Sequence, residues 1–122
     1  MNDFEEKVLK TIIGCEVGLY TCCYAPEKAV VSTSNLASLL KCSKYKVRKA
    51  LKVLVAIGYI EYTSLGRPAI ESNTENGYEL VCEALPPLNG YALTKLGFST
   101  FQYREAMENF NKAMEKMLNS EV

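Results

Sequence analysis

Apolar residues recur at helical spacing near the start of the chain and predict a first helix over Phe4–Tyr20. Asp3 stands directly before this segment, so we expect its side chain to cap the helix. Glu5 and Glu6 follow in the first turn, where carboxylates suit the positive end of the helix dipole. The face predicted to enter the core carries Phe4, Val8, Leu9, Ile12 and Ile13.

Two shorter helices are predicted next, each with a serine directly before it. Ser32 precedes a helix over Thr33–Leu40, and Ser43 precedes a second helix over Lys44–Ile57. Gly58 then suits a left-handed C-terminal cap. Because each helix alone would be marginal in water, we predict that the two pack together as a helix-turn-helix. The shared apolar positions are Leu36, Ala37, Leu40, Val47 and Leu51.

After the third helix, short segments alternate between strand-like and turn-like composition. Tyr59–Thr63 and Tyr78–Cys82 have strand character and predict a small antiparallel β-wing. Turns are predicted at Leu65–Pro68 and at Pro86–Gly90, and a polar loop at Asn73–Gly77. The pattern leaves open which strand pairs with the first one.

The last helix is predicted over Phe98–Leu118 and carries apolar residues at alternating spacings of four and three. These residues are Tyr103, Met107, Phe110, Met114 and Met117. A seam of this kind favours a dimerisation helix, so we predict a homodimer. The alternative is a helix that packs against the first helix of its own chain.

The chain has no net charge, with 14 basic and 14 acidic residues, but its charges are unevenly distributed. Between Lys28 and Ile60 every charged residue is basic. These residues are Lys28, Lys41, Lys44, Lys46, Arg48, Lys49 and Lys52. A stretch of one sign in a neutral protein predicts an anionic partner for that part of the surface.

The segment from Ser32 to Ile60 resembles the winged-helix core of bacterial and phage transcriptional regulators, in particular the MarR-like and PadR-like groups. The residues that carry the resemblance are Ser32-Thr33-Ser34-Asn35-Leu36-Ala37, Leu40, Ser43, Val47, Leu51, Leu54 and Gly58-Tyr59-Ile60. The segment Tyr91-Ala92-Leu93-Thr94-Lys95-Leu96-Gly97 also resembles the part that closes the wing in these groups.

The resemblance implies a mainly α fold with a small antiparallel β-wing. Residues 1–97 would form a winged helix-turn-helix domain that binds DNA, and residues 98–122 a long C-terminal helix that dimerises. Such a protein would bind double-stranded DNA as a dimeric transcriptional regulator. The residues identify no small-molecule effector.

The helix after Ser43 is the candidate DNA-binding element, because its apolar positions point inward and its basic positions outward. Lysine and arginine bind phosphates, and arginine also reads guanine edges in the major groove. Arg67, in the predicted turn Gly66-Arg67-Pro68, is a further candidate at the wing. The alternative is a lysine-rich face that meets only solvent. The predicted contacts in and before this helix are Ser43, Lys44, Tyr45, Lys46, Arg48 and Lys49.

The residue types present argue against several other functions. The chain has no histidine, which removes the commonest general base and metal ligand, so we expect neither an enzyme nor a cofactor. No apolar run approaches the roughly 20 residues of a membrane helix. The acidic start does not resemble a secretory signal. We therefore expect a cytoplasmic protein without a membrane partner.

Two alternative functions stay open at this point. Five cysteines occur without a C-x-x-C pair, and Cys22, Cys23 and Cys42 are candidates for a thiol-based redox or metal sensor. Buried cysteines that act as small hydrophobic residues are the simpler interpretation. The other alternative is a winged-helix adaptor whose basic helix binds an acidic protein instead of DNA.

Overall fold

The computed structural model describes residues 1–18, 28–67, 70–74 and 77–120. Within these residues the chain is mainly helical, with antiparallel strands and a long C-terminal helix. No helix among them combines the length and the apolar character that crossing a bilayer requires. The helices are α1 (Asp3–Gly18), α2 (Thr33–Leu40), α3 (Lys44–Ile57), α4 (Lys95–Phe98) and α5 (Phe101–Ser120). The strands are β1 (Ile60–Arg67), β2 (Ile70–Thr74), β3 (Gly77–Cys82) and β4 (Leu85–Leu93).

The cap of α1 is Asn2 and not the predicted Asp3. The Asn2 side chain accepts a hydrogen bond from the backbone N–H of Glu5 at 2.8 Å. The Glu5 carboxylate accepts one from the N–H of Asn2 at 3.2 Å, which completes a capping box. The same spacing joins Asp3 to Glu6, so the sequence offers two registers for this motif. In the structure Glu6 instead pairs with Lys10 at 3.4 Å.

The bounds of α2 and α3 are those predicted, because both serines form their caps. Ser32 accepts a hydrogen bond from the N–H of Asn35 at 3.1 Å, and Ser43 accepts one from Lys46 at 3.3 Å. α2 ends at Leu40, and its C-cap residue Lys41 has a left-handed φ of 54°. The chain therefore reverses within residues 41–43, and the two helices lie against each other.

The hydrophobic core lies where α1, α2 and α3 meet the base of β1 and β4. Val8, Leu9 and Ile12 of α1 are fully buried at its centre. The other elements contribute Leu36, Val47, Leu51, Leu54, Ile60 and Leu93. This arrangement places one complete face of α3 in the core.

β1 and β4 pair in antiparallel orientation from Ile60–Leu93 to Arg67–Leu85. Val31 forms a bridge with Tyr91 through two backbone hydrogen bonds of 2.9 Å. β4 therefore lies between Val31 and β1, and this resolves the pairing that the sequence left open. Gly90 permits the close approach, since a Cβ atom there would overlap the carbonyl of Val31.

β2 and β3 form a second antiparallel ladder, with pairs from Ile70–Cys82 to Thr74–Gly77. The last pair of the first ladder is Arg67–Leu85, and the first pair of the second ladder is Ile70–Cys82. The two ladders are therefore three residues apart in the sequence on both sides. We call residues 60–93 the ribbon. It holds more strand residues than the wing that the sequence predicts. Of the loop predicted at Asn73–Gly77, Asn73 and Thr74 belong to β2 and Gly77 to β3, and Glu75 and Asn76 lie outside the described residues.

The turns predicted at Leu65–Pro68 and at Pro86–Gly90 are wrong, because β1 extends through Arg67 and β4 begins at Leu85. A β-bulge accommodates the residues that suggested turns. Between the pairs Leu65–Leu88 and Arg67–Leu85, Gly66 stands alone opposite Pro86 and Pro87. Proline lacks an N–H group, and a bulge is one of the few places where a strand tolerates it.

The C-terminal segment forms two helices where one was predicted from Phe98. The Thr94 hydroxyl caps α4 by accepting from the N–H of Gly97 at 3.2 Å, and it donates to the carbonyl of Gly58. Ser99 and Thr100 interrupt the helix. Thr100 then accepts from the N–H of Tyr103 at 3.2 Å, and α5 begins.

A candidate nucleic-acid interface

The basic residues of α3 project from a helix whose other face is fixed in the core. Val47, Leu51 and Leu54 are buried along its length. The exposed residues of its first turns are Lys44, Tyr45, Lys46, Arg48, Lys49 and Lys52. Together with the exposed cap Ser43, they include every contact predicted for this helix. They form one surface, which we call the α3 face.

The charges of the α3 face are not neutralised within the part of the chain that the structure describes. The one ion pair found there joins Lys10 and Glu6 in α1. No acidic residue occurs between Lys28 and Ile60. The first turn also carries the positive end of the helix dipole, which adds to the attraction for anions. The surface therefore combines fixed geometry with basic residues that form no ion pair among the described residues.

Two lysines of the α3 face lie over aromatic rings. The Nζ atom of Lys46 is 4.5 Å from the centre of the Phe4 ring, and that of Lys49 is 5.2 Å from the centre of the Tyr45 ring. Contacts of this kind are worth about 0.5–1 kcal/mol at exposed sites. Lys46 is therefore directed towards α1, whereas Lys49 remains beside Tyr45.

A groove of about 560 Å³ separates the start of α1 from α3. Its α1 wall contains Asn2, Phe4 and the buried Glu5, and its α3 wall contains Lys46, Lys49 and Lys52 together with Ala50 and Val53. Phe4 is half-buried and packs against the core, as its position on the apolar face of α1 predicted, but its place under Lys46 was not predicted. Periodicity assigns residues to the faces of one helix, but it cannot say which residues of two helices meet.

Arg67 does not belong to this surface by any contact that the structure gives. Its Nε–H donates to the carbonyl of Pro86 at 2.8 Å, across the bulge that joins β1 to β4. The hairpin continues beyond it to Thr74 and Gly77, so Arg67 lies partway along the ribbon and not at its tip.

The ribbon carries the opposite charge to the α3 face. Its acidic residues are Glu61, Glu71, Glu75, Glu79 and Glu83, and its basic residue is Arg67. Glu61 and Glu83 are exposed. Phosphates that approach the α3 face are therefore attracted by one element and repelled by its neighbour in the sequence.

The predicted dimerisation seam divides into two parts along α5. Tyr103, Met107 and Phe110 are partly buried and pack against the chain's own core, beside α1. Met114 and Met117 lie further along the helix and are exposed, as is Leu118. The first part follows the intrachain alternative raised by the sequence, and the second part is the exposed continuation of the same stripe.

Two cysteines are described with their side chains, Cys15 and Cys42, and both thiols are free and half-buried. Burial raises the pKa of the Cys15 thiol above its ordinary value, which disfavours the reactive thiolate. Cys22 and Cys23, the other sensor candidates, lie outside the described residues. Within the described ranges, no three cysteines or carboxylates cluster in a way that would hold a metal ion.

Comparison with known protein families, with characterised proteins and with solved structures found no match to this chain.

Proposed function

We propose that this chain is a winged helix-turn-helix protein that binds double-stranded DNA as a transcriptional regulator, with α3 in the major groove. The observation that carries the proposal is the α3 face, an exposed basic surface on a helix whose opposite face is buried. A cylinder of this width fits the major groove, and its lysines then lie beside the phosphates.

The order of elements supports the winged-helix part of the proposal. α2 and α3 are joined by the tight reversal at residues 41–43, and the β1–β4 hairpin follows directly. Val31 precedes α2 and joins the sheet beside β4. A helix pair flanked by strands in this way presents its second helix outward, as recognition helices require.

The test is a fluorescence-anisotropy titration of random-sequence duplex DNA at several salt concentrations. Replacing Lys46 and Lys49 by alanine should weaken binding and reduce its salt dependence by up to about 0.9 for each phosphate that is no longer neutralised. The variant should stay folded but lose about 1–2 kcal/mol of stability, because it also removes the two cation–π contacts of these lysines.

The matched control replaces Lys112 and Lys116, two exposed lysines of α5, by alanine. It makes the same change of net charge and should leave the salt dependence unchanged. Equal binding by the parent and the Lys46/Lys49 variant at every salt concentration would refute the DNA proposal and favour the adaptor alternative.

The regulator acts as a homodimer through the exposed end of α5. Met114, Met117 and Leu118 continue the apolar stripe beyond the part that packs on the chain's own core. A two-fold dimer would also supply the paired recognition helices that read two half-sites in the DNA. Met117→Glu should then yield a monomer in sedimentation, because it places a charge in an apolar contact. Lys112→Glu, an exposed charge reversal on α5, should leave the dimer intact, and a monomeric parent would contradict the assembly.

A further inference from the structure

Tyr45 is the large apolar group in the outward part of α3 that would enter the groove first. Val47, Leu51 and Leu54 fix the inward face, and Tyr45 lies away from them with 67% of its surface exposed. Its exposed neighbours in the first two turns are the cations Lys44, Lys46, Arg48 and Lys49. A tyrosine surrounded by charged residues at this position is not required by the packing of the chain.

Lys46 and Lys49 are positioned so that neither covers the outward edge of the Tyr45 ring. Lys46 is drawn sideways to the Phe4 ring of α1. The ammonium group of Lys49 stands over the face of the Tyr45 ring at 5.2 Å, which fills the space a stacked base would take. The ring is thus kept as an apolar contact surface with a cation beside it.

The chemistry of the major groove then limits what this ring can recognise. Bases in an intact duplex are stacked on one another and show only their edges to a protein. Those edges carry hydrogen-bond donors and acceptors, with one apolar group among them, the C5-methyl of thymine. The partner that suits an aromatic ring in this position is therefore that methyl group.

Resting on the proposed function, we infer that Tyr45 is a specificity-determining residue that selects thymine in the DNA site through its C5-methyl group. The lysines of the α3 face provide affinity for any duplex, and Tyr45 adds preference for one sequence over another.

The experiment begins by selecting duplexes from a random-sequence pool with the 122-residue chain. In the best-bound duplex, each thymine is then replaced in turn by deoxyuridine, which removes the methyl group and keeps the base pair. At one or more positions the parent should bind the deoxyuridine duplex about three- to five-fold more weakly, the factor that burying one methyl group gives.

The variants assign that preference to the residue. Tyr45→Ala should bind the thymine and deoxyuridine duplexes equally while still binding DNA, and Tyr45→Phe should keep the preference. The inference is overturned if the parent binds both duplexes equally at every position, or if Tyr45→Ala retains the discrimination. A pool in which no duplex is enriched or bound would overturn the DNA proposal itself, and the inference with it.

Discussion

α3 and the ribbon follow one another in the chain, yet they differ in charge and in how they are held. α3 buries Val47, Leu51 and Leu54 along its whole length, and every charged residue it carries is basic. The ribbon joins the core at its base, through Ile60 and Leu93, and carries five glutamates and one arginine. The net charge of zero therefore describes neither region.

The difference limits where an anionic partner can bind. A helix with one face in a close-packed core keeps its side chains in place without reorganisation when a ligand arrives. An acidic hairpin repels phosphates at the distances where salt screening is incomplete. Under the proposed function, the contrast therefore favours the α3 face over the ribbon as the part that binds phosphates.

The largest expected effect tests how the two regions are anchored. Leu51 in α3 is fully buried, so Leu51→Ala should lower the free energy of unfolding by about 2–5 kcal/mol. Leu88 in the ribbon is half-buried and pairs with Leu65, so Leu88→Ala should cost about 1 kcal/mol. Urea denaturation with circular dichroism measures both. Equal losses would mean that the ribbon is as much a part of the core as α3.

A smaller effect distinguishes the stability of α3 from its proposed contact with DNA. Ser43 caps the helix through the N–H of Lys46, so Ser43→Ala should cost about 1 kcal/mol of stability. Ser43→Asp keeps a capping oxygen and suits the dipole, so its stability should match the parent. The added negative charge should nevertheless weaken DNA binding at low salt. If Ser43→Asp bound DNA as tightly as the parent, the start of α3 would lie away from the phosphates.

The same two regions differ in how far their structure follows from the sequence. In α3, the serine cap, the apolar spacing and Gly58 all indicate the same bounds, and the structure has them. The α3 face followed from these bounds, because side chains leave a helix at fixed angles and the buried positions therefore determine the exposed ones. The positions of Lys46 over Phe4 and Lys49 over Tyr45 did not follow, since side-chain contacts depend on rotamers and on neighbouring elements.

The ribbon was predicted less well because its local signals conflict with its pairing. Gly66, Pro86 and Pro87 are residue types typical of turns, and turns were therefore predicted at these positions. In the structure these residues meet across one bulge, where a glycine faces two prolines and the ladder continues on both sides. Pairing across the hairpin outweighs local propensity in such a segment. That pairing could be read only from the three-dimensional structure.

The smallest expected effect decides whether the ribbon touches DNA at all. The sequence suggested Arg67 as a wing contact, and the structure engages its Nε–H with the carbonyl of Pro86 at 2.8 Å. If Arg67 serves only to form this hydrogen bond, Arg67→Ala should lower the free energy of unfolding by about 1 kcal/mol or less. The salt dependence of DNA binding should stay unchanged. Arg48→Ala, the same substitution on the α3 face, should reduce the salt dependence by up to about 0.9, and it serves as the positive control. Anisotropy titrations of the two variants on one duplex make the comparison directly. An equal reduction for Arg67→Ala would show that the ribbon neutralises a phosphate despite its glutamates, and the assignment of phosphate binding to α3 alone would then be wrong.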